Sequence, residues 1–168
     1  MTEFILGDPQ PTTGAQNRGA LKVKAPRTVD IHVHLQAPGS NPPFTLESDL
    51  PVKNGNYVFK NKNCPGLIVG FHLHDDLNPG YSFPNSSNLQ DSVWSQTGPN
   101  CPTSGIWEVF QPLSVEDAGK TLLVYNENPT AGGNGLGEFH YTLNVTKTGG
   151  PPYLALDPGG DDQNGTRK

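Results

Sequence analysis

No part of this 168-residue chain is apolar for long enough to cross a bilayer as a helix. The longest run, GLIVGF at residues 66–71, compares with the roughly 20 residues that a span needs. Charge is scarce as well. Charged residues make up 16% of the sequence, with a net charge of −5 and a pI near 5.4. The basic side chains gather only in LKVK with PR (residues 21–27) and in the terminal TRK. A nucleic acid or an anionic membrane surface needs a basic patch to hold it, so neither is expected as a partner. Helical periodicity is also missing: no window longer than a turn or two repeats its apolar residues at helical spacing, and proline interrupts nearly every candidate. The opening MTEFILGDPQ has no basic segment and only three consecutive apolar residues, unlike a secretory signal. As written, the chain is expected in the cytoplasm, or outside it by a route that needs no signal.

There are only two cysteines, Cys64 in KNCPG and Cys101 in PNCPT, each ahead of a proline at the end of a polar loop. A bridge between them would close a loop of 36 intervening residues, worth roughly 4 kcal/mol in the chain-entropy account. Two free thiols in a reducing compartment are the alternative, and both states stay open.

What the sequence has in quantity is glycine (20) and proline (17), set between short apolar runs. Val29–Leu35 alternates Val29, Ile31, Val33 and Leu35 with Asp30, His32 and His34. Leu67–Leu73 and Glu138–Val145 alternate in the same way, and Asn56–Phe59, Ile106–Phe110, Thr121–Tyr125 and Tyr153–Leu156 are shorter or more uniformly apolar. Period-two alternation marks half-buried strands, and turn signals such as NPG, GPN and GGNG separate them. The expected fold is all-β: an immunoglobulin-like antiparallel β-sandwich of about seven to nine short strands in residues 21–157. A flexible arm (1–20) precedes it and a flexible acidic, polar tail (158–168) follows.

Two resemblances accompany this expectation. The stretch SVEDAGKTLLVYN (114–126) resembles the turn into strand F of immunoglobulin-like domains, although Thr121 stands where the corner tyrosine would be and Leu123 where the cysteine would be. That resemblance implies architecture alone. More broadly, the order of CPG, F-L-DD-NPGY-FP, NCP, LLVYNEN, FHYTLNV and the closing LDPGG-NG is similar to small, uncharacterised bacterial β-sandwich proteins. It implies the same fold and no activity.

The residues with the most chemistry are histidines. DIHVHL and GFHLHDD each place two histidines two residues apart: His32 with His34, and His72 with His74. In a strand such residues share one face, about 6.5–7 Å apart. Neutral imidazole suits zinc, copper or nickel, and Asp30, Asp75 and Asp76 lie close in sequence as further ligands or supports. His140 occupies the same phase of its own strand. The competing reading is a solvated strand face, because every one of these histidines falls on the polar phase. Strands in different sheets would point their histidines apart, so the metal reading depends on strand order. A histidine face that charges together near pH ~6.5 is a further option.

Other signals are weaker. Asp157, Asp161, Asp162 and Asn164 in the tail offer oxygen ligands for calcium, but without EF-hand spacing. No G-x-S-x-G elbow, phosphate loop or paired carboxylate arrangement is present, so an enzyme is not expected. Trp94, in the loop-like DSVWSQ, is a candidate surface anchor. The first expectation is therefore a non-enzymatic β-sandwich that binds a protein partner or self-associates. The alternative is a metal-binding protein or metalloenzyme using His32, His34, His72 and His74, with His140. A carbohydrate-binding module using Tyr81, Phe83 and Trp94 is the third.

Overall fold

The computed structural model describes residues 27–60, 66–126 and 137–163, and within them eleven strands form two sheets. The first sheet holds β1 (Arg27–Leu35), β2 (Phe44–Glu47), β5 (Leu67–His74), β7 (Phe110–Glu116) and β8 (Thr121–Asn126), in the order β2-β1-β5-β8-β7. The second holds β3 (Val52–Lys53), β4 (Asn56–Lys60), β6 (Val93–Thr97), β9 (Gly137–Val145), β10 (Leu154–Leu156) and β11 (Gly159–Gln163). Its order is β10-β9-β11-β4-β3, with β6 paired along the other side of β9. Only two short 3-10 turns, Ser86–Asp91 and Asp117–Gly119, interrupt the strands among the described residues. The chain is all-β and two-layered, as its alternation implies.

The sheets are mixed, where an antiparallel ladder is the simpler expectation. β1 runs parallel to β5, and β4 runs parallel to β11. Parallel neighbours need a long crossover, and between β1 and β5 the chain passes through β2 and then through β3 and β4 of the opposite sheet. The Asp117–Gly119 turn forms at the expected corner, with Asp117, Ala118 and Gly119 all at positive φ.

The two sheets meet through the apolar phase of each strand. Ile31, Val33 and Leu35 of β1 and Leu67, Val69, Phe71 and Leu73 of β5 are buried, while the side chains between them, at His32, His34, Ile68 and His72, are half-exposed. From the other sheet come Phe59, Phe139, Tyr141, Leu143, Val145 and Leu156. Phe110 joins the layers: its ring centroid lies 5.0 Å from Tyr141, 5.3 Å from Phe139, 5.7 Å from Phe59 and 5.9 Å from Phe71, all edge-on. Edge-to-face packing at this spacing adds to the area that each ring buries.

Several elements differ from the sequence expectation. Val93–Thr97 is a strand, so Trp94 lies in β6 opposite Thr142 rather than in a loop. The strand expected at 106–110 starts at Phe110 and runs on to Glu116, with Pro112 and Ser114 flanking a register shift. Residues 159–163, within the stretch expected as a tail, form β11. The pairs Leu143↔Leu156 and His140↔Gly159 keep one register along β9, so β10 and β11 are one ladder interrupted at Asp157 and Pro158. The arm at 1–20 lies outside the described residues.

The far end of β5 is pinned by Asp75. Its Oδ1 is 3.0 Å from Lys120 Nζ, and its Oδ2 accepts the backbone N–H groups of Gly80 (2.8 Å) and Tyr81 (3.2 Å). Burial opposes ionisation of this carboxyl, but the Lys120 ammonium and the two N–H groups outweigh it and hold its pKa below the ordinary 3.8. The stabilisation from a depressed carboxyl is present above pH 3.8 and is lost as pH falls through the lowered value. In Asp75→Asn, the acid-side decline in unfolding free energy is expected to flatten; an acid profile identical to that of the native chain would contradict the pinning role. Phe110→Ala is expected to lower the unfolding free energy in urea by about 3–5 kcal/mol, and a loss below about 1 kcal/mol would mean that Phe110 does not join the layers.

Candidate functional site

The parallel pairing of β1 with β5 decides where the histidines go. The register sets His32 beside His72 and His34 beside His74. Both strands bury their odd-numbered residues against the other sheet, so all four imidazoles project from the outer face of one sheet. Neighbouring strands lie about 4.8 Å apart, and alternate residues about 6.5–7 Å apart along a strand. The result is a two-by-two grid. Ring centroids are 5.1 Å apart for His32 and His72, 4.6 Å for His34 and His74, 6.4 Å for His32 and His34, and 5.1 Å across the His32–His74 diagonal.

The flanking strands extend the grid. Glu47 of β2 stands opposite His32, and its Oε1 lies 3.1 Å from His34 Nε2. On the other side, Thr121 of β8 stands opposite His72 and its hydroxyl lies 3.3 Å from His72 Nδ1. Asp30 pairs with Gly70 in the register and leans toward His72, with Oδ1 2.8 Å from His72 Nε2. The missing side chain at position 70 makes room for this: a Cβ there would sit 3.1 Å from Asp30 Oδ1 and 3.2 Å from His72 Nε2.

At the centre, His32 Nδ1 and His74 Nε2 are 2.9 Å apart, so one ring donates to the other and a single proton lies between two nitrogens. Burial, then the neighbouring His34 and His32, push the pKa of His74 below the ordinary 6.5, and Asp76 opposes them. Among the described residues no three His, Cys, Asp or Glu side chains already stand in ligand geometry. The four rings are gathered but held by hydrogen bonds to one another and to carboxylates.

The remaining expected site residues lie elsewhere. His140 is on β9 in the second sheet, and its Nδ1–H donates to the Gly98 carbonyl at 2.7 Å. It shares the sequence phase of the other histidines but not their sheet, and so leaves the cluster. Cys101 carries a free thiol, the unbridged of the two expected states, while Cys64 lies outside the described residues. Burial and then the Asp157 carboxylate push the Cys101 thiol up to about 11, so it is not a thiolate at neutral pH. Trp94 is half-buried with its Nε1–H enclosed, which suits packing better than a surface anchor. Phe83 is buried at 1% exposure, and Tyr81 is half-buried under the Lys147 ammonium, so the expected sugar-binding aromatics do not form one platform. Of the suggested calcium ligands, Asp157 accepts the Thr142 hydroxyl at 3.0 Å, and Asn164 lies outside the described residues.

Sequence reasoning missed Glu47, Gly70 and Thr121. All three are brought to the histidines by register, and no local motif marks them. Compared with protein-family models, curated proteins and solved structures, the chain matches none.

Gly70→Val is expected to drive Asp30 away from His72 while leaving the buried face intact. The 15N resonances of the His72 ring should shift, and unchanged resonances would show that the glycine is not what admits the Asp30 carboxylate.

Proposed function

We propose that this protein binds one divalent transition ion of the zinc, copper or nickel type on the outer face of the first sheet, using the histidines of β1 and β5. The observation that carries the proposal is the in-register parallel pairing of two H-x-H strands, which concentrates four imidazoles within one patch. Imidazole nitrogen favours these metals, whereas calcium and magnesium favour oxygen ligands. The central His32–His74 contact is suited to exchange of a proton for a metal. Two nitrogens on a tetrahedral ion with bonds of about 2.0–2.1 Å stand roughly 3.3 Å apart. Starting from 2.9 Å, the rings part by only about 0.4 Å to admit it.

The role is binding rather than catalysis. An interaction module without metal is the first expectation from sequence, but among the described residues no surface feature specifies a protein partner as closely as the histidine patch specifies an ion. The patch is half-exposed, with His34 at 37% and His72 at 31% side-chain exposure, so an ion reaches it without strand separation.

Protein purified without an affinity tag is expected to bind about one equivalent of zinc by calorimetry and elemental analysis, and to melt higher when loaded. Free metal at about 100 times Kd corresponds to about 2.7 kcal/mol of added stability. Absence of stoichiometric zinc, copper or nickel, with melting unaffected by either metal or chelator, would refute the proposal.

A further inference from the structure

His72 differs from the other three histidines because both of its ring nitrogens are engaged. Nε2–H donates to Asp30 Oδ1 at 2.8 Å. On the other side, His72 Nδ1 lies 3.3 Å from the Thr121 hydroxyl oxygen, and that hydroxyl donates to Asp117 Oδ2 at 2.7 Å. The chain Asp30–His72–Thr121–Asp117 therefore runs from carboxylate to carboxylate across three strands and the turn at Asp117. An ion at His72 would have to displace the Asp30 carboxylate from Nε2 or Thr121 from Nδ1.

The other three histidines open onto a common space. A surface cavity of about 480 Å³ is lined by His32, His34 and His74 together with Asp30, Glu47 and Asp49, and His72 is not among its walls. Glu47 is the carboxylate already within this group: it stands opposite His32 and its Oε1 is 3.1 Å from His34 Nε2. At 74% side-chain exposure it pays little to turn toward an ion.

Resting on the metal reading above, we infer that the ion is held by three imidazoles, from His32, His34 and His74, with the Glu47 carboxylate as fourth ligand. His72 is a positioning residue that does not touch the ion. It backs His32, with ring centroids 5.1 Å apart, and its anchored ring fixes the side of the patch away from the cavity. Three nitrogens and one oxygen form an ordinary four-coordinate zinc set. Because Glu47 belongs to edge strand β2 and the three histidines to β1 and β5, loading also ties the edge strand to the sheet.

X-ray absorption on the zinc-loaded native chain counts the ligands without any variant and is expected to give three imidazoles and one oxygen. Calorimetry with zinc then separates the roles. His74→Gln and His34→Gln should weaken binding by well over about a hundredfold, whereas His72→Gln should weaken it by no more than about 10–100-fold, the range of a supporting group. Glu47→Gln should replace the carboxylate signature while zinc stays bound more weakly. Amide exchange at Phe44–Glu47 should slow on loading, because Glu47 then ties the edge strand to the ion. Circular dichroism confirms that each variant is folded. Four imidazoles in the native spectrum, or loss of binding in a folded His72→Gln equal to that in His74→Gln, would overturn the inference while leaving metal binding in place. A native chain that takes up no zinc at all would overturn both.

Discussion

The parallel, in-register pairing of β1 with β5 is the constraint on which the outer face of this protein depends. A slip of one residue in this pairing would turn one strand's histidines to the core, because side chains in a strand alternate between faces. The observed register avoids this: His32 meets His72, His34 meets His74, and the intervening Val33 and Leu73 meet on the buried side. One set of backbone hydrogen bonds thus builds the apolar interior and the polar grid together.

That register is itself secured from both layers. Ile31, Val33, Val69 and Phe71 would have to leave the interior for the strands to slip, and each buried aliphatic or aromatic side chain is worth about 1.5–3 kcal/mol. Phe110 and Phe71 carry the contact across to Tyr141 and Phe139. The outer face contributes less, since pairs such as His34 with Glu47 are substantially exposed and the gain from such pairs is usually under about 1 kcal/mol. The interior therefore sets the geometry that the outer face uses. Rings stacked 4.6 Å apart on neighbouring strands, as His34 and His74 are, would repel if all were charged.

The sequence makes much of the fold visible and little of the site's boundary. Alternation in VDIHVHL and GFHLH is strong enough to assign both strands and to put every histidine on the polar phase. Alternation cannot say which strand lies next to which. His140 has the same phase as His72 yet lies in the other sheet, because sheet membership is decided by crossovers tens of residues long rather than by local pattern. Trp94 was hidden for a related reason: β6 is only five residues long, and its Ser95 is buried beside Val93, so its polar residues mimic a loop. Glu47 and Thr121 are ordinary residues in sequence, and pairing alone brings them to the grid.

The most direct measurement is anomalous diffraction at the zinc edge from crystals of the loaded protein. One strong peak is expected on the outer face of the first sheet, within bonding distance of His32, His34 and His74. A peak at His140, a peak on His72 without His74, or a zinc-loaded crystal with no peak at the β1–β5 face would contradict it.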